Sequence, residues 1–160
     1  MRSRTAAIID GALKIDLPPD TLHHALTHGL DMSAVKHLLF THAHDDHCAG
    51  YELQYLSWMF IPHAVEKPLE ILAPKTTIKK ICGQIGEEPL PLSLQAIEPW
   101  VTVPFGKWEI TPILANHDPK QICFNYLISD GGSTLLYASD TGWYLDATWE
   151  FLRGRHIDGA

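Results

Sequence analysis

The segment Thr41 to Gly50, THAHDDHCAG, places His42, His44, Asp46 and His47 within six residues, directly after the apolar-rich run Val35 to Phe40. Imidazole and carboxylate groups crowded this closely compete for protons unless something positive sits among them, and a divalent metal ion meets that need best. In extended chain, alternate side chains share a face, so His42 and His44 can grip one ion. Asp46 and His47 lie past the bend, where the chain turns toward a helix, and can reach a second ion. A His-rich tract can also be a loose metal-binding tail. Here, however, a buried strand precedes the cluster, and Tyr51 to Met59 reads as an amphipathic helix after it. A strand, a tight loop and a helix make the rigid mount that catalytic groups need. The other histidines, His23, His24, His28, His37 and His63, read as surface or satisfied core positions.

A chain of 160 residues fits one domain with a real core, and 46% hydrophobic with 19% charged residues is a globular composition. The net charge of −7 argues against a general nucleic-acid binder, which would show a basic face. It leaves room for a phosphate substrate, because bound cations add local positive charge that the sequence count omits. No run approaches the length of a membrane span, and the apolar stretch before Asp10 is too short for a signal peptide. Cys48, Cys82 and Cys123 are spaced for neither a zinc ribbon nor a disulfide framework. A reducing, cytoplasmic setting is the expectation.

Thr5 to Ile9 and Ala12 to Asp16 read as a hairpin around Asp10-Gly11. Asp20 is the expected N-cap of a helix over residues 21–29 that Gly29 closes. Strands are expected at Val35 to Phe40, Leu69 to Leu72, Leu92 to Ile97 and Trp108 to Ala115. Cys123 to Ser129 and Ser133 to Ser139 form a second hairpin around Asp130-Gly131-Gly132. Helices are expected at Lys75 to Ile85 and Trp143 to Leu152, and the proline-rich stretch from Glu87 to Pro104 reads otherwise as loop. The order of elements predicts mixed sheets with helices on their outer faces.

His117, in Leu114-Ala-Asn-His-Asp-Pro, and Asp140, in Leu135-Leu-Tyr-Ala-Ser-Asp-Thr-Gly, each stand where an apolar strand stops, as the first cluster does. Singly each is ordinary; together three strand ends can present His and Asp to one rim. The pattern His42-x-His44-x-Asp46-His47 with Gly50 resembles the signature of the metallo-β-lactamase superfamily, and His117 and Ser139-Asp140-Thr141 are similar to its next two stations, in order. The resemblance covers essentially the whole chain. It implies an α+β fold, the αββα four-layer sandwich, over a single domain spanning residues 1–160, with two divalent ions at one edge of the sheets. It further implies that His42, His44 and His117 hold the first metal, that Asp46 and His47 hold the second, and that Asp140 bridges them.

A bridging carboxylate, the opening Arg4-Thr-Ala-Ala, Tyr51-Glu-Leu after the motif and Tyr137-Ala-Ser-Asp-Thr-Gly look most like the PhnP-like phosphodiesterase and ribonuclease Z branch. The family's last histidine ligand has only His156 as a counterpart here, and His156 reads as a surface residue; the fold is therefore expected to be shortened at both ends. The expected chemistry is hydrolysis of a small phosphodiester by a water shared between zinc, manganese or iron ions about 3.5–4 Å apart, with Asp46 orienting it. No membrane partner is expected, and a second copy of the chain is the expected protein partner. Hydrolysis of a thioester, lactone or amide, or metal binding without catalysis, are the alternatives.

Overall fold

The computed structural model describes residues 3–56, 68–87 and 90–160. Two compact units divide the chain, Met1–Ala96 and Ile97–Ala160. The first carries a five-stranded sheet in sequence order: β1 (Ala7–Ile9), β2 (Leu13–Ile15), β3 (His37–Leu39), β4 (Leu69–Ala73) and β5 (Leu92–Ala96). The β1–β2 pair is antiparallel, and β2 through β5 run parallel. The hairpin follows from Asp10 and Gly11, which both take positive φ (49° and 69°) as a type I′ turn requires, with the Ala12 amide donating to the Ile9 carbonyl. The parallel strands need crossovers, and α1 (Thr21–His28) supplies the first of them.

Gly29 closes α1 in the left-handed conformation and donates to the Ala25 carbonyl, as its sequence position predicts. Asp20 does not cap the helix with its side chain. Its carboxylate is taken instead by the backbone amide and guanidinium of Arg4, which holds it below the usual carboxylate range. The segment after the histidine loop, Gly50–Leu56, is a 3-10 helix rather than the expected α-helix, its Glu52 amide reaching only three residues back to Ala49. Positions 57–59 of that expected helix, and His63, lie outside the described residues. Gly50 is needed there for space: a Cβ would sit 3.3 Å from the Ile81 backbone and 2.6 Å from Gln84 Oε1 of α2 (Lys75–Ile85).

Ile78, Ile81 and Ile85 recur at helical spacing on α2 and pack onto Leu38, Phe40, Ile71 and Ala73. Each fully buried side chain of this kind contributes roughly 1.5–3 kcal/mol of transfer free energy. One position breaks the apolar pattern. Cross-strand pairing makes a row of Ile8, Lys14, Leu38, Ile71 and Leu94, so a lysine stands where the row is otherwise aliphatic.

The second unit holds an antiparallel sheet, β6 (Val103–Phe105), β7 (Trp108–Leu114), β8 (Phe124–Ser129) and β9 (Thr134–Tyr137). The expectation of mixed sheets therefore holds for the first sheet only, because each neighbouring pair in the second is antiparallel and short loops can join its strands directly. β6 begins at the end of the stretch read as loop, and Pro104 is tolerated because β6 is an edge strand. The last helix, α3 (Asp146–Leu152), starts three residues later than expected because Trp143 and Tyr144 anchor the preceding loop instead. Ile113, Leu127, Tyr144 and Leu152 form the core of this unit. The terminal segment returns to β9 through a parallel bridge between Leu135 and Gly159.

Lys14 gives this fold a pH signature. It is 3% exposed, and burial pushes its pKa from the usual 10.5 down to about 8 against the weaker pull of Asp16. The folded state therefore binds fewer protons than the unfolded state between those values, and stability rises with pH across that window. Lys14→Met is predicted to stabilise the protein at pH 7 by up to about 3 kcal/mol, an advantage that shrinks from pH 8 toward 10.5. Urea unfolding of both forms across that range checks it; a destabilised variant at pH 7 contradicts it.

Candidate metal centre

The histidine loop begins where β3 ends. Thr41, His42 and His47 are buried, His44 is partly so, and Asp46 is 53% exposed at its side chain. His42 Nε2 and His44 Nδ1 face each other at 3.1 Å, and His47 Nε2 lies 3.8 Å from Asp46 Oδ2. The four predicted residues are thus presented as two converging donor pairs. The His42 ring also lies close to that of His47, with centroids 4.4 Å apart.

Asp16, at the end of β2, organises this loop. It is fully buried and accepts the Thr41 amide at 2.8 Å, the Thr41 hydroxyl at 2.9 Å and His47 Nδ1–H at 2.7 Å. Because the Thr41 hydroxyl has one proton and spends it on Asp16, its oxygen accepts from His42 Nδ1–H at 2.9 Å. One carboxylate therefore fixes both rings in the tautomer that leaves Nε2 as a lone-pair donor. Burial pushes the Asp16 carboxyl up, while the hydrogen bond and charge of His47 and the Thr41 bonds pull it back. Its backbone sits at φ +60°, in the left-handed region that Asp visits at some cost.

The loop is tied down from two further directions. Leu17, next to Asp16, donates to the His47 carbonyl and accepts from the Ala49 amide. Lys80 of α2 donates to the Ala43 carbonyl and to Asp45, each at 2.6 Å, and holds the Asp45 carboxyl below its usual range. Cys48 is no ligand candidate: it is buried in the apolar core, and burial pushes its thiol to about 12.

In the second unit, His117 follows β7 and Asp140 follows β9, with His117 Nε2 3.7 Å from Asp140 Oδ2. Asn116 joins their loops: its amide meets Thr141 Oγ1, its carbonyl accepts the Gly142 amide, and its Nδ2 donates to the Trp143 carbonyl. Fully buried Asn125 donates to the Ser139 carbonyl at 2.7 Å and accepts the Tyr144 hydroxyl at 2.6 Å. Like Asp16, Asp140 has a positive φ, +46°. His156 is 87% exposed at its side chain and pairs with Asp158, in keeping with its reading as a surface residue.

The donor set fits a divalent cation. Imidazole nitrogens with oriented lone pairs and carboxylate oxygens are the ligands that zinc, manganese or iron take, and the outer partners that fix ligand tautomers are built in. Asp16, Thr41 and Lys80 escaped the sequence reading, although Asp16 carried the same signal as His117 and Asp140, a carboxylate where an apolar strand stops.

A family model for a beta-lactamase superfamily domain matches residues 14–158. The chain belongs to that family. Comparison with curated protein sequences gives no match. Among solved structures, the metallo-β-lactamase fold protein YhfI from Bacillus subtilis is 22% identical with a TM-score of 0.72. That alignment covers 94% of this chain and 61% of YhfI. A diphosphatase from the PhnP family is 21% identical with a TM-score of 0.65, covering 94% of this chain and 56% of its own. Human tRNase Z, short form, is 14% identical with a TM-score of 0.70, covering 92% of this chain and 66% of its own. The chain shares their fold and spans about three fifths of their length.

Asp16→Asn is predicted to lower zinc affinity by about 10- to 100-fold, since an amide there puts a donor against Thr41 or His47. Competition with a chromophoric chelator measures it. Unchanged affinity would show that the buried carboxylate does not orient the ligands.

Proposed function

We propose that the protein is a metal-dependent hydrolase of phosphodiesters in which His42, His44 and His117 hold one divalent ion, Asp46 and His47 hold a second, and Asp140 bridges both. The observation that carries this reading is the pair of converging donor sets in the histidine loop, His42 with His44 and Asp46 with His47. Two ion positions side by side suit phosphoryl transfer, where attacking and leaving oxygens both need charge compensation. The motif's likeness to the superfamily signature supports the assignment of His117 and Asp140, which the second unit holds together on joined loops. The neighbours named as a diphosphatase and as tRNase Z align with TM-scores of 0.65 and 0.70, above the 0.52–0.56 of metallo-β-lactamases that also match, and this favours phosphorus chemistry over a lactam.

Bound there, divalent ions such as zinc, manganese or iron would lower the pKa of water toward neutrality and neutralise charge on phosphoryl oxygens. The chain's own residues do the positioning. Asp16 and Thr41 keep His42 and His47 in one tautomer, and Lys80 clamps the intervening turn. Asp46, half exposed beside His47, orients the attacking water toward phosphorus.

The metal-loaded protein is expected to hydrolyse bis(p-nitrophenyl) phosphate, with Asp140→Ala and chelation each reducing turnover to background. A thioester and a nitrocefin-type lactam serve as competitors in the same assay. Turnover of either competitor without the phosphodiester would overturn the substrate assignment; tight binding of one ion or none, with no turnover of any substrate, would overturn catalysis itself.

A further inference from the structure

Lys14 has no role in the chemistry above, yet it is the one charged side chain in its aliphatic cross-strand row and is 3% exposed. The charge that acts on its ammonium is Asp16, two residues on, whose pull is weaker than the cost of burial. An ammonium at that depth is costly unless further counter-charge is supplied. Lys14 lines a cleft of about 470 Å³ between the first hairpin and α1. Arg4, His24 and His28 share that lining with it, and none of the lining residues is acidic, in a chain whose net charge is −7.

His24 Nε2 is buried with no hydrogen-bond partner among the described residues. His24 and His28 are four residues apart on α1, so both rings fall on one face of the helix. Arg4 is held at the cleft by Asp20 through its backbone amide and one guanidinium nitrogen, which leaves its remaining N–H donors unspent by that pair. The lining thus offers several donors, and the nearest carboxylates, Asp20 on Arg4 and Asp16 behind Lys14, lie outside it. A compact anion with acceptors on every side fits it better than a planar carboxylate.

We propose that this cleft binds a phosphate dianion, free or as the terminal group of a phosphate monoester, with Lys14 as its buried counter-charge and His24, His28 and Arg4 completing the donors. None of the lining residues belongs to the histidine loop, so the proposal stands independently of the hydrolase reading.

The test titrates inorganic phosphate, and separately glycerol 3-phosphate, into zinc-loaded, nitrogen-15-labelled protein and follows amide and imidazole resonances. Saturable shifts are expected in residues 4–8, at Lys14 and along residues 24–28. Lys14→Met and, as a second variant on the helix, His24→Gln should each weaken binding by about tenfold or more. His44→Ala should leave these shifts intact, which separates the cleft from phosphate bound at the metals. Binding of both ligands supports free phosphate as a natural occupant, and binding of the monoester alone supports a phosphorylated metabolite. Shifts confined to residues 41–50, or binding unaltered in both cleft variants, would overturn the proposal.

Discussion

The carboxylate of Asp16 is the constraint on which the histidine loop depends. A fully buried charge is tolerated only when its lone pairs are filled, and here the Thr41 amide, the Thr41 hydroxyl and His47 fill them. Meeting that requirement brings the end of β2 against the start of the loop. It also determines which nitrogen of His42 and His47 carries the proton. The metal binding proposed above requires imidazoles that present lone pairs, so a demand of folding and a demand of the proposed function are met by the same three side chains. The parallel pairing of β2 with β3 makes this possible, because it brings the ends of both strands to one edge of the sheet.

The second unit solves a similar problem with a neutral group. A fully buried amide, Asn125, stands there in place of a carboxylate, and it holds the Ser139 carbonyl while Tyr144 satisfies its own oxygen. Asn116 then links the loop of His117 to that of Asp140. In both units an aspartate in left-handed backbone stands just past a strand end, Asp16 after β2 and Asp140 after β9. Such backbone is kept only where the surroundings over-determine it, and the bonds around each loop do so.

Much of this was legible in the sequence. Hairpin turns at Asp10-Gly11 and around Asp130, the Gly29 cap and helix α2 follow from local chemistry, and their positions match closely. The histidine cluster announces itself through ligand types and spacing that no ordinary surface needs. What was not legible depends on contacts distant in sequence. Asp16 lies 31 residues from His47 and Lys80 lies 35 from Asp45, so no window of sequence shows those bonds. The 3-10 geometry after Gly50 and the late start of α3 arise the same way, from close approach of α2 and from Asn116 and Asn125 capturing residues 143–144. Nothing local to Lys14 in the sequence marks it as buried, yet in the folded chain it is 3% exposed.

Long-range proton–nitrogen spectra of the imidazole side chains report which ring nitrogen is protonated, and so whether Asp16 sets the tautomers of His42 and His47. His42 and His47 are both expected to carry their proton on Nδ1 with an unprotonated Nε2, and Asp16→Asn is expected to disturb both rings together. An Nε2–H tautomer in either ring of the unmodified protein, or two rings indifferent to the loss of the Asp16 carboxylate, would contradict that role of Asp16.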